Sequence, residues 1–162
     1  MAAGWQVPER EPGPAPGLEF AGYGERLVAY IVDAIIVTIV VVVVSIVGAF
    51  VIVGGAATGS AGAAVSAGFL LVIAVFVVSI GYFPFFWARG GATPGMKMFG
   101  LYVVRDSDGG PISGGQAVLR LFGYWVASLV FYIGYIWIFI DKRKRGWHDL
   151  IAGTVVIEAP SA

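Results

Sequence analysis

The sequence predicts an all-α membrane protein: two transmembrane helices plus a third apolar element, either a bent hairpin or a third span, with a small two-stranded sheet at the cytoplasmic surface. Three observations predict it. Apolar residues make up 59% of the 162-residue chain and charged residues only 12%, against about 45 to 50% and about 25% in a soluble domain; mean hydropathy is +0.88. The apolar residues fall into three stretches, 27–53, 65–87 and 121–140, each about 20 residues or longer and so able to reach across a bilayer core of about 30 Å. Basic residues gather at the ends of these stretches, as membrane topology requires.

The same composition narrows the function. Ten Lys plus Arg against ten Asp plus Glu leave no global field to attract nucleic acid. Without cysteine there is no disulfide and no thiolate metal site. The single histidine, His148, has no second histidine for a metal pair, and no serine lies in a nucleophile-elbow pattern. The chain therefore reads as a non-enzyme with no cofactor and no metal. One membrane domain, 21–158, is expected between an N-terminal tail, 1–20, and a C-terminal tail, 159–162.

The N-terminal tail holds Pro8, Pro12, Pro14 and Pro16 among Glu9, Arg10, Glu11 and Glu19, a composition that buries too little apolar surface to order itself, and it is expected to be disordered. It is no cleavable signal. A basic n-region is missing, and the apolar run after Arg26 exceeds an h-region of about 7 to 15 residues.

In the first helix, Arg26 stands at the mouth of the apolar run and Asp33 is the only charge inside it. Seven residues at 3.6 per turn bring Asp33 back to within about 20° of Arg26 and about 10 Å deeper, so the two share a face. A charge at that depth costs at least about 2.5 to 3.5 kcal/mol, so Asp33 must be paired, protonated or facing water. Arg26 and Arg120 are its candidate partners. Left unpaired, the carboxyl would be driven to carry a proton; beside an arginine it would stay charged.

The connection from Gly54 to Ala64 consists of small residues and turns the chain. In the second helix, small residues recur at four-residue spacing, as in Gly62/Ser66 and Ala64/Gly68, which permits close packing on the first. Its end, Tyr82 to Trp87, is an aromatic belt followed by Arg89, the mark of a membrane interface on the cytoplasmic side.

Between Arg89 and Gln116 the chain turns to Gly, Pro and charge. Phe99 to Arg105 reads as a strand, and Thr154 to Ile157 has the same β-branched character and is its expected partner. Gly90 to Lys97 imitates a phosphate loop, but Met96 precedes Lys97, no Ser or Thr follows, and Pro94 removes an amide. Asp106-Ser107-Asp108-Gly109 lacks the remaining ligands of a calcium loop and reads as a tight turn.

Leu121 to Ile140 is about one span long. A straight span, however, would put Lys142 to Arg145 opposite Arg26 and the loop carrying Arg89, Lys97, Arg105 and Arg120. The positive-inside rule favours an element bent around Ser128 to Gly134, entering and leaving by one face.

The C-terminal run Arg145-Gly146-Trp147-His148-Asp149, followed by Ala152-Gly153-Thr154-Val155-Val156, completes a resemblance to the RDD family of bacterial membrane proteins, named for one arginine and two aspartates. Arg26 and Asp33 match its first-helix Arg and Asp, Asp149 its second acid. Thr93-Pro94-Gly95 with Lys97, Gly100, Val103-Val104 and Asp108 to Pro111 is similar to its central segment. The resemblance covers about 21–157 and implies a transport role, with monovalent cation/proton exchange attributed to some members. The candidate site residues are then Arg26, Asp33, Asp149, His148 and Arg120, with His148 beside Asp149 as a proton relay. Lys142, Arg143, Lys144 and Arg145 are expected on anionic lipid headgroups. The alternative is an accessory subunit of a larger membrane complex, its charges serving only to pack helices. The expected setting is the bacterial plasma membrane, N-terminus cytoplasmic, as a homo-oligomer or in a larger complex.

Overall fold

In the computed structural model, which describes residues 13–130 and 133–159, a long helical hairpin stands on a small sheet. Helices α1 (Tyr23–Ala57) and α2 (Ala61–Gly90) are about 52 and 45 Å long at 1.5 Å per residue. Both are long and apolar enough to cross a membrane. Runs of Val and Ile have middling helix propensity in water, but in lipid every N–H and C=O needs an internal partner, and the helix supplies it.

The connection is only Thr58 to Ser60, shorter than the Gly54 to Ala64 segment read from the sequence. Gly and Ala there stay helical because each glycine weakens a helix by only about 1 kcal/mol. Gly59 turns the chain at φ 75°, and the Ser60 hydroxyl accepts from Ala63 N at 3.3 Å to cap α2. Close approach explains the small residues: a side chain on Gly55 would press on the Ala64 backbone, and one on Gly48 on Leu71.

α2 stops at Gly91, left-handed at φ 66°. Short helix α3 (Pro94–Met98) starts with Thr93 as N-cap and Pro94 in its first turn. Strand β2 (Leu101–Arg105) follows. It pairs antiparallel with β3 (Thr154–Glu158), placing Val103 opposite Val156. A third strand, β1 (Glu19–Phe20), pairs with the other edge of β3, giving the order β1-β3-β2.

The predicted sheet had two strands and placed Glu19 and Phe20 in a disordered tail; two paired residues are too few to leave a periodic signature. Burial of Phe20 against Val104, Val155 and Ile157 fixes them. The preceding turn is also closed, with Gly13 N donating to Leu18 O at 2.7 Å. The tail up to residue 12 lies outside the described residues, as do the last three. After β2, Arg105 and Gly110 close a tight turn in which Asp108 accepts from Gly110 N at 3.1 Å.

Helix α4 (Gly114–Leu129) opens with a capping box between Ser113 and Gln116 and buries Ala117, Arg120, Gly123 and Ala127 along one face. It is followed by α5 (Ile133–Ile136) and a 3-10 turn, Trp137–Phe139, and the two arms meet at 114°. The third element is therefore the bent form. Its far end comes back to the foot of α1, where Phe139 packs on Tyr23 with ring centres 4.7 Å apart, and Gln116 Nε2, at the start of α4, donates to Ala152 O at 3.2 Å, in α6 (Trp147–Ala152). Ala21 N, just ahead of α1, donates to Val156 O at 3.1 Å. The feet of all three helical elements thus stand on one sheet, around a core that includes Trp87, Leu101, Val103 and Val156.

Two buried acids at the foot of the hairpin: the candidate functional site

Asp149 is the third residue of α6 and is fully buried. One oxygen accepts from Arg120 Nη1 and, at 3.2 Å, from the Thr154 hydroxyl. The other accepts from Gly146 N at 3.2 Å and lies 3.2 Å from His148 Nε2 and 3.8 Å from Arg26 Nη1. Arg120 Nη1 also donates to the Thr154 hydroxyl at 2.7 Å, and its guanidinium lies 5.0 Å from the Trp87 ring centre. Burial alone would push the Asp149 carboxyl up, but the Arg120 charge, with help from His148 and Arg26, holds it well below the usual carboxylate range. Asp149 is a locked anion.

α6 reaches this position because α4 presents small residues to it. A side chain on Gly123 would overlap the backbone of His148, and one on Gly134 would overlap Ala127. His148 stacks on Tyr124 with ring centres 3.9 Å apart, and Tyr124 stacks in turn on Trp87 at 5.8 Å. Arg26 donates to the carbonyls of Lys144 at 2.7 Å and Val156 at 2.9 Å. Lys144 offers that carbonyl from a left-handed backbone, φ 53°, with its ammonium 5.5 Å from the Tyr23 ring centre.

Asp33, 1% exposed, sits in a different environment. It accepts from the Tyr82 hydroxyl at 2.8 Å, the Thr93 hydroxyl at 2.5 Å and Gly95 N at 2.8 Å. The Thr93 hydroxyl serves twice, also accepting from Met96 N at 3.2 Å. Only glycine fits at 95, because a Cβ there would overlap the Ala29 carbonyl and the Asp33 carboxylate. All three donors are neutral. Among the described residues no cation pairs with Asp33.

The predicted pairing of Arg26 or Arg120 with Asp33 is therefore corrected: both arginines go to Asp149. Arg26 lies at the first turn of α1 and bends outward to the sheet, while α3 lays its own N-terminus over Asp33. Arg143 and Arg145 pair with Asp106 at 2.5 and 2.8 Å, and Arg145 also with Asp141 at 2.9 Å. Lys142 is exposed.

A cavity of about 660 Å³ opens beside Asp33. Asp33, Arg26, Arg120 and His148 line it, with Trp87 and Tyr124. Among the described residues, no three His, Cys, Asp or Glu side chains converge as a metal site would require.

Residues 20–153 match the family model described as RDD family. The chain belongs to the RDD family. That span contains Arg26, Asp33 and Asp149, the three residues on which the sequence resemblance rests; Arg26 and Asp149 meet at one centre, and Asp33 lies at another. The chain is 36% identical over 87 residues to the uncharacterized protein YxaI of Bacillus subtilis (strain 168), a match covering 53% of this chain and 56% of that protein. The chain thus spans just over half the length of the curated relative it matches. No solved structure matches.

Sequence reasoning missed Tyr82 and Thr154 as carboxylate partners, and Thr93 and Gly95 as the cradle of Asp33. The Thr93-Pro94-Gly95 run was read only as part of the family-like central segment; nothing local says which acid it faces.

Burial holds the His148 imidazole below its ordinary value despite the pull of Asp149. A folded value below the unfolded one, about 6.5, contributes stability that is full above that pH and is lost as pH falls. Thermal stability in detergent is accordingly expected to drop between pH 7 and 5, by up to about 1 kcal/mol per pH unit. His148→Phe, which keeps the stack on Tyr124, should flatten this slope; an unchanged slope would mean that other groups set it.

Proposed function

We propose that this RDD membrane protein exchanges a monovalent cation for a proton, with Asp33 as the carrying carboxyl. The observation that carries the reading is a buried acid in a bilayer-length helix, held by three neutral donors without a cation, on the wall of a cavity. A carboxylate so placed can be neutralised by a proton or by a bound cation, and the shared site makes the two compete. Thr93, Tyr82 and Gly95 position it. Asp149, already neutralised by arginine, has no such freedom and serves as the staple joining α1, α4, α6 and β3.

This reading sets the sheet, the N-terminus and the basic segment 142–145 on the cytoplasmic side of the bacterial plasma membrane, with the Thr58 to Ser60 turn outside. Lys142 and Arg143, both exposed, would then face anionic headgroups. Three membrane elements are few to enclose a pathway, so a homo-oligomer is the expected working form. The accessory-subunit alternative draws on the closed ion pair at Asp149, which needs no transport to explain it.

Carbodiimides modify a protonated carboxyl in apolar surroundings, which makes them a direct probe. Asp33 should be modified, as located by peptide mass, and sodium or potassium should slow the reaction at constant ionic strength. Modification that ignores both cations would argue against competition at this carboxyl.

A further inference from the structure

We infer that the end of α2 and the short helix α3 form a docking surface for one anionic phospholipid, its phosphate held by Arg89 and Lys97 and its acyl chains lying along Phe85 and Met98. The inference is independent of cation exchange at Asp33. Two neighbouring cations without an acid lead to it. Lys97 folds back on the end of α2, its ammonium 3.9 Å from the place where a Cβ on Gly90 would stand, and Gly90 follows Arg89 in the chain. Both basic side chains are exposed, and among the described residues neither is paired with an acid. The arginines elsewhere at the foot of the hairpin are matched: Arg26 and Arg120 by Asp149, Arg143 and Arg145 by Asp106.

The direction of Arg89 sets the depth. The carboxyl end of a helix favours a cation, but Arg89 points away from it: its guanidinium lies over the Phe85 ring, 5.2 Å from the ring centre and one turn back toward the bilayer. A guanidinium held at the level of the aromatic belt stands in the headgroup layer, where lipid phosphates are the anions at hand. α3 stands at the same level. Gly95, two residues before Lys97, and Tyr82, at the start of the belt, donate to the same oxygen of Asp33.

The neighbours of the two cations select a lipid over a soluble phosphate. Phe85 is 51% and Met98 70% exposed, and acyl chains would cover both, whereas a hydrated anion would gain nothing from either. With 30 residues, α2 is about 45 Å long and exceeds a hydrocarbon core of about 30 Å. Its last turns therefore reach the layer in which phosphate and acyl chain meet.

The chain has no cysteine, so Met98→Cys carries a fluorescent label without background. The full chain is reconstituted in phosphatidylcholine bilayers, and the label is quenched by phosphatidylglycerol or phosphatidylcholine brominated near the top of the acyl chains. Phosphatidylglycerol should be preferred by roughly twentyfold, the ratio expected of two basic side chains at an anionic headgroup. Arg89→Gln with Lys97→Gln, both at exposed positions, should bring the ratio close to one, while Arg89→Lys with Lys97→Arg, which keeps the charges, should retain it. Lys142→Gln with Arg143→Gln should also leave it unchanged. Equal quenching by the two lipids in the parent protein would overturn the proposal. So would a preference that survives Arg89→Gln with Lys97→Gln, or one that falls as far in the Lys142 and Arg143 variant, which would reduce it to diffuse surface attraction. Loss of the preference in an excess of inorganic phosphate at constant ionic strength would assign the cations to a soluble anion and overturn it too.

Discussion

Asp149→Asn is expected to destabilise the protein by about 3 to 5 kcal/mol, enough to prevent folding if the native margin is ordinary. The substitution keeps the volume and removes the one carboxylate that Arg120 and Arg26 share. Arg120 is 2% exposed, so its charge would stay buried among neutral groups alone, the new amide oxygen, the Thr154 hydroxyl and the Trp87 and Tyr124 rings. Removing both charges together is less costly than stranding one. Asp149→Asn combined with Arg120→Met should therefore recover a substantial part of the loss, measured as thermal unfolding in detergent. Additive losses would show that the two side chains do not share one electrostatic unit.

The fold was legible wherever a local pattern carries it. Unbroken apolar runs announced α1 and α2, and β-forming residues at 99–105 and 154–157 announced the two strands that pair, the first starting two residues later than read. The bend of the third element followed from basic residues rather than from any helix breaker, and the 114° between its arms agrees. What stayed hidden was long-range choice. Helical spacing put Arg26 and Asp33 on one face, yet spacing within a helix says nothing of what another segment lays over that face. Here α3, from 60 residues away, supplies Thr93 to Asp33. Arg26 is drawn instead to the carbonyls of Lys144 and Val156, more than a hundred residues on. Glu19 and Phe20 were hidden for a different reason: they form a strand only because β3 offers them an edge.

The two buried acids present one functional contrast: Asp149 is neutralised by arginine, and Asp33 is held by neutral donors. Replacing the Asp33 carboxylate by an amide of nearly equal volume should leave the helices packed, because Tyr82 and Gly95, which share one oxygen, can still donate to the amide oxygen, and the amide N–H can donate to the Thr93 hydroxyl. The proton and the cation would lose their shared site. The most direct measurement is sodium- and potassium-dependent proton flux in reconstituted vesicles, wild type beside Asp33→Asn, with folding and orientation verified for both. The account predicts cation-dependent flux in the wild type and its loss, by at least about a hundredfold, in a folded Asp33→Asn protein, since the substitution removes the only group given the exchange. Equal flux in the two, or none from correctly oriented wild type under either cation, would contradict it.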